Sequence, residues 1–381
     1  MRKRVLALAL VVFAAAAAGA SAMTRASPPP PPAAVAKCNS GQIGFLGPLS
    51  GPFTSVGREQ LNWATLALNT FNKANGTHFT LKKGDTQLNP KVALKVGAAF
   101  AASKTLLATI GPAGSQEIGA LGKLFTQKGL PAITSSATSV TLSGGAYPTL
   151  SRVVASDAVQ GTSDATFMAG KLHAKKVLII DDAEPYSTTI AAAAAKALKA
   201  SGVQVVRKSV SQTVTDFSSL VASIASETDV VFLPWQLPSN AQSFADLMQE
   251  QGVTAQLVGS DLLDSTQFTT AGAYVSSFAR DIHGLPGTAP VIAAYNAAYG
   301  TKWGLFGPPT YVAAQVIATA YKAACADGTA TRAELLQAIR AVRLQKSILG
   351  IPVSFDKHGE MTSARFYVSQ IQSDGTHKLV W

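Results

Sequence analysis

Cysteine, histidine and charge are all scarce in this chain: of 381 residues two are cysteine, five are histidine and 14% are charged. His78, His173, His283, His358 and His377 are dispersed, and two cysteines cannot build a Cys/His zinc framework, so no metal ligands are assigned. There is no G-x-S-x-G elbow, no H-E-x-x-H pair and no dinucleotide or phosphate-binding glycine loop. Those absences remove the sequence grounds for a hydrolase, a metalloprotease or a nucleotide-dependent transferase, and no catalytic residue or cofactor is expected. The formal charge is +11, yet the lysines and arginines are scattered, with no basic run interleaved with aromatics. Nucleic acid is therefore excluded as a partner. Beyond the N-terminus no stretch is long and apolar enough to span a membrane.

The N-terminus itself has the three parts of a secretory signal: Arg2, Lys3 and Arg4, an apolar run from Val5 to Ala20, and Ala20-Ser21-Ala22. Residues 1–22 are read as a signal cleaved before Met23; an uncleaved anchor is the alternative, against which the run of about 16 residues is short. Residues 23–37, with Pro28 to Pro32, read as an extended tether outside the fold. The mature protein is thus expected outside the cytoplasm, in the periplasm or extracytoplasmic envelope. An even cysteine count in an exported chain points to one disulfide, Cys38 to Cys325.

What the chain has in quantity is apolar runs alternating with helical periodicity, 47% of it being hydrophobic. Gln42 to Leu46, Phe79 to Lys82, Leu106 to Ile110 and Leu130 to Ile133 read as strands. After Ser151 the series resumes with Lys176 to Asp181, Val203 to Val206, Asp229 to Leu233 and Gln256 to Val258. Helices read between them, including Asp157 to Leu172, a helix from Ser187 and Asp216 to Ser226. About four strands on each side of Ser151 predict two α/β lobes with parallel sheets. The tail is mainly helical and closes on a hairpin signal around Asp356-Lys357-His358-Gly359.

The most informative stretch is Thr109 to Thr138, in which two hydroxyl-rich turns follow two apolar runs. In an open parallel sheet such turns lie together at the carboxyl ends of the strands, where ligands bind. Ser115 stands at the mouth of a helix, a seat for a carboxylate or phosphate. The competing reading makes Ser115 a helix cap and Ser135, Ser136 and Thr138 loop hydroxyls.

From about residue 40 to 372 the chain resembles the branched-chain amino-acid binding proteins, the extracytoplasmic subunits of ABC transporters. The resemblance rests on Gly44 to Gly51, Gly84-Asp85-Thr86 leading to Asn89-Pro90, the Ile110-Gly111 turn, Ile133 to Thr138, and Gly350 to Gly359. It implies a type I periplasmic-binding-protein fold: two lobes, each a mainly parallel sheet flanked by helices, joined by three crossing segments. Lobe 1 would take 38–155 and 283–360, and lobe 2 156–282 and 361–381. It implies a cleft in which Ser115, Ser136 and Thr138 hold a ligand carboxylate, Asp261 takes the ammonium and Tyr186 closes over the ligand as a loop lid. Trp235, Gln236 and Phe306 are further candidate walls. The expected ligand is a branched-chain or other apolar amino acid and the expected partner a membrane permease, with the binding protein a monomer. A sensor on the same fold, or a ligand that is an amide or carboxylate and not an amino acid, remains open. The chain departs from the family at Val56, at Pro234-Trp235-Gln236 and in having aspartate at 261 where glutamate is usual.

Overall fold

Most sheet strands in the first part of the chain are followed by a helix that returns over one face of the sheet, which makes neighbouring strands parallel. The computed structural model describes residues 40–325 and 327–381 and the backbone of 35–37. The expected signal, most of the tether, and Cys38 lie outside the described residues. In chain order the first part comprises β1 (Val35–Lys37), β2 (Gln42–Gly47), α1 (Thr54–Asn75), β3 (Thr80–Asp85), α2 (Pro90–Ala102), β4 (Leu106–Ile110), α3 (Ser115–Gln127), β5 (Ala132–Thr134) and β6 (Leu150–Arg152). Strands β2 to β6 form a parallel sheet of order β3-β2-β4-β5-β6.

The chain then crosses to a second sheet. Here lie α4 (Asp157–Thr166), β7 (Lys176–Asp181), α5 (Pro185–Ala200), β8 (Gln204–Ser209), α6 (Ser218–Ala222), β9 (Val230–Leu233), α7 (Pro238–Glu250), β10 (Gln256–Gly259) and β11 (Tyr274–Ser277). Period-two alternation assigns the layers: Val177, Ile179, Val230 and Phe232 enter one core with α5, while Leu178, Ile180, Val231 and Leu233 enter the other with α7. Both faces are covered, as parallel sheets require.

The chain returns to the first lobe with α8 (Ala289–Tyr299), α9 (Gly307–Ala324), β12 (Thr329–Thr331), α10 (Arg332–Ala341), β13 (Arg343–Leu344) and β14 (Val353–Ser354). It crosses a last time to β15 (Tyr367–Ile371) and β16 (His377–Leu379), which add antiparallel strands to the second sheet, giving β16-β15-β11-β10-β9-β7-β8. The first and third crossings are tied: Arg152 is 1% exposed, donates its guanidinium to Glu360 Oε2 at 2.6 and 2.9 Å, and its backbone N–H bonds Gly359 O.

Several expectations change. Residues 35–37 are not tether: they pair antiparallel with Thr329–Thr331, whose β-branched threonines suit an edge ladder. Helix α5 begins at Pro185, not Ser187, because proline at the first helical position needs no N–H partner; Tyr186 therefore lies in a helical first turn and not in a loop. The helix expected over 216–226 shrinks to Ser218–Ala222. The Asp356 to Gly359 turn is present, with its flanks joined by a Phe355 to Met361 bridge and a Thr362 N–H bond to Ser354 O, and the longer antiparallel pair is β15 with β16.

Cys325, at the end of α9, is disulfide-bonded. Lys37 lies opposite Thr329, which brings the chain next to Cys38 toward the loop after α9. Alkylation of the unreduced mature protein followed by intact mass spectrometry is expected to find both thiols protected; two alkylated cysteines would reject the Cys38 to Cys325 pairing.

Candidate ligand-binding cleft

Each sheet has one place where successive connections leave in opposite directions, and there the loops at the strand ends part to leave a crevice. In the first sheet it lies between β2 and β4, because the chain goes from β2 outward to β3 and then back across to β4. In the second it lies between β7 and β9. A small cavity is lined from both. The first lobe contributes Pro48, Phe53 and Val56 after β2, and Ala113, Gly114 and Ser115 after β4. Ser136 follows β5 and Leu88 follows β3, while Tyr186 comes from the first turn of α5 and Gln236 from the loop after β9, with Leu262 after β10 and Phe306 before α9. Two wider depressions, beside Arg340 and His358 and over α4 and α5, are open surface grooves.

Local chemistry fixes the first-lobe loops. Asp85 accepts N–H bonds from Leu49, Ser50 and Gln87 and the Ser50 hydroxyl, at 2.5 to 3.3 Å, and so shapes the loop after β2. Partial burial pulls its carboxyl upward, but the Ser50 hydroxyl and those N–H groups outweigh it and hold the value below normal. Gly111 has φ +85°, and a Cβ there would come within 2.1 Å of Leu46 O, so the turn after β4 needs glycine. Ser115 opens α3; its Oγ accepts from Ser139 N at 3.2 Å, which leaves the hydroxyl proton free to donate. Ser136 Oγ instead donates to Ala113 O at 2.9 Å and receives Gln60 Nε2 at 3.0 Å.

The second-lobe side is acidic. Asp261, 2% exposed, follows β10; its Oδ1 accepts both Tyr186 Oη–H and Gln160 Nε2–H at 2.6 Å, and its Oδ2 has no partner. Burial pushes this carboxyl up to about 6, although the Tyr186 and Gln160 bonds pull it back. Behind it Asp157, Gln160 and Asp164 share one face of α4 at i, i+3 and i+7, all fully buried. Burial raises Asp157 to about 8 against the Thr138 hydroxyl and Arg152, with Asp261's charge adding to the rise. Asp164 is raised well above normal, by burial first and then by the charges of Asp261 and Asp157, against the Ser276 hydroxyl. Among the described residues the cation acting on this group is Arg152, which is committed to Glu360 and to the carbonyls of Ala137 and Ser139.

Of the residues singled out from sequence, Ser115, Ser136, Tyr186, Gln236 and Phe306 line one cavity. Asp261 stands behind Tyr186, bonded to its hydroxyl. Thr138 is buried one layer back against Asp157 and does not reach the cavity surface. Trp235 is a correction: its indole N–H bonds Ile180 O at 2.7 Å and its rings pack on Phe217 and Phe244, so it is core of the second lobe. Sequence reasoning missed Gln60, Asp157, Gln160 and Asp164. The i, i+3, i+7 spacing of the last three was visible, but a polar stripe on a helix ordinarily faces water.

The chain belongs to the periplasmic binding protein family: the family profile described as Periplasmic binding protein matches residues 41–376. It is similar to an amino acid binding protein of Pseudomonas aeruginosa, 27% identical over 354 residues that cover 88% of this chain and 91% of the relative. A leucine-, isoleucine-, valine-, threonine- and alanine-binding protein of the same organism is 24% identical over 345 residues, covering 88% and 91%. Among solved structures, a branched-chain amino acid transporter substrate binding protein from Streptococcus pneumoniae, in complex with isoleucine, superposes with a TM-score of 0.79 at 22% identity, covering 90% of this chain and 99% of that one. The fold is thereby that of the two-lobed type I periplasmic binding proteins.

A ligand that presents an ammonium to Asp261 requires that carboxyl to be ionised. Because its value in the free protein is raised to about 6, affinity is expected to be level from pH 7 to 8 and to fall below pH 6, by up to about tenfold per pH unit. Binding at pH 5 should release a proton, read as buffer-dependent heat in calorimetry. Affinity that stays flat from pH 5 to 8 would rule out an ionised Asp261 as the ligand's partner.

Proposed function

We propose that the protein captures an amino acid with an apolar side chain outside the cytoplasm and delivers it, as a monomer, to the permease of an ABC importer. The observation that carries this reading is the buried, unpartnered Oδ2 of Asp261 on one lobe, with the Ser115 hydroxyl and the N-terminus of α3 on the other. An ammonium completes the first and a carboxylate is drawn to the second. Apolar walls from Phe53, Val56, Leu88, Leu262 and Phe306 suit an aliphatic or aromatic side chain. Nothing in this arrangement demands bond-breaking chemistry, so a binding role is preferred to an enzymatic one. Export is supported by the basic and apolar N-terminal signal pattern, and among the described residues no helix is long and apolar enough to cross a membrane.

Isothermal titration against a panel of amino acids and their deaminated analogues tests the proposal. Asp261→Asn leaves a buried ammonium without its counter-ion and is expected to cost on the order of 3 kcal/mol, about a hundredfold in affinity for amino acids, with little effect on deaminated acids. Ser115→Ala removes one donor among several and should cost about 1 to 2 kcal/mol for both ligand types. Equal losses for both types in Asp261→Asn would show that Asp261 meets no ammonium. Ligand should also reduce the radius of gyration in small-angle scattering as the lobes close; an unchanged radius on saturation would contradict closure.

A further inference from the structure

The loop after β9 puts a glutamine, Gln236, on the wall of a mainly apolar cavity. Its place is pinned from several sides. The Gln236 backbone N–H donates to Asp182 Oδ2 at 2.7 Å, and the indole of the preceding Trp235 is anchored on Ile180 O. Trp235 O accepts the Ser260 hydroxyl at 3.4 Å, which ties this loop to the one that carries Asp261. Strands β9 and β10 pair in register, with Leu233 opposite Gly259, so Gln236 and Asp261 leave neighbouring strand ends of the second lobe.

The orientation of the Gln236 amide follows from its partners. Gln212 Nε2 donates to Asp182 Oδ2 at 3.0 Å and to Gln236 Oε1 at 2.9 Å. A carboxylate only accepts, so Gln212 must turn its NH2 to Asp182, and the Gln236 atom that meets the same NH2 must be its carbonyl oxygen. The Gln236 NH2 is thereby directed away from this network, and among the described residues no acceptor bonds it. Four lining residues carry a polar side chain, and two have already given their protons: Ser136 to Ala113 O and Tyr186 to Asp261. Ser115 on the first lobe and Gln236 on the second keep free donors.

Among the described residues no lysine or arginine lines the cavity, so a carboxylate there has to be met by neutral donors on both its oxygens. In an α-amino acid the amine and the carboxylate share one carbon. An amine drawn to Asp261 therefore holds the carboxylate close to the adjoining loop. We propose that Gln236 is a specificity-determining residue whose amide N–H groups take one carboxylate oxygen while Ser115 and the start of α3 take the other, so that the carboxylate bridges the two lobes. This rests on the amino-acid reading above and adds a second-lobe donor to it. Gln212, bonded to both Asp182 and Gln236, is the positioning residue that keeps those N–H groups on the cavity side.

Titration calorimetry of the mature protein at pH 7 with leucine and phenylalanine, their deaminated acids isocaproate and hydrocinnamate, and their decarboxylated amines isoamylamine and phenethylamine tests this. Gln236→Leu is expected to weaken the four acids by about tenfold to a hundredfold and to leave the amines unchanged. Gln236→Glu, which turns acceptors and a charge on the carboxylate, should cost the acids more. Gln212→Leu, off the cavity wall, should weaken the acids by a few fold, with no further loss in the Gln236→Leu background; a loss that persists there would overturn its positioning role. Acids bound by Gln236→Leu within about twofold of the unmutated protein would overturn the inference, as would amines weakened as much as acids. If Asp261→Asn then still separates amino acids from deaminated acids, the amino-acid reading stands without Gln236. Absence of binding by every carboxyl-bearing probe would overturn both.

Discussion

A carboxylate taken out of water is tolerated only when donors or a cation meet it, and Asp261 receives two donors on one oxygen and none on the other. The surrounding structure deepens this imbalance. Helix α4 presses Asp157 and Asp164 in behind it, and the nearby cation Arg152 is drawn away to Glu360. Two of the acids escape by holding their protons. Asp261, raised to about 6, is the one nearest to ionising at neutrality, which is what the proposed ammonium contact asks of it.

The architecture gathers loops of both lobes around one cavity, with Asp261 bonded behind its Tyr186 wall. Both sheets have their switch point at the carboxyl ends of the central strands, and the three crossings turn these ends toward a shared space. The lobes meet there through loops and helix termini, the parts of an α/β layer with unspent N–H groups. The first and third crossings are fastened by the buried Arg152 ion pair and the Arg152 to Gly359 backbone bond.

Much of this was legible in the sequence, and the gaps have physical reasons. Ser115 was marked by two hydroxyl-rich turns that follow neighbouring apolar runs, and it does line the cavity. The main strands were visible in their apolar runs, but β6 and β11 were not, since Leu150-Ser151-Arg152 and Tyr274-Val275-Ser276-Ser277 mix polar with apolar residues and form no such run. Tyr186 was misread because Pro185 signals a break and a helix start with the same residue. Trp235 looked like a cleft wall from its place after a strand; only the fold shows that Phe217, Phe244 and the Ile180 carbonyl absorb it. The buried face of α4 is the largest gap, because spacing shows that Asp157, Gln160 and Asp164 share a side but not whether that side meets water or the strand ends of the second sheet.

The central claim is one of orientation: amine toward Asp261, opposite end toward the start of α3. A crystal structure of the protein saturated with the tightest ligand from the calorimetric panel tests it most directly. The account predicts the ligand nitrogen at about 2.7 to 2.9 Å from Asp261 Oδ2, the charge-assisted distance, with the other end against Ser115. A ligand seated the other way round, or an Asp261 whose Oδ2 meets only water, would contradict it.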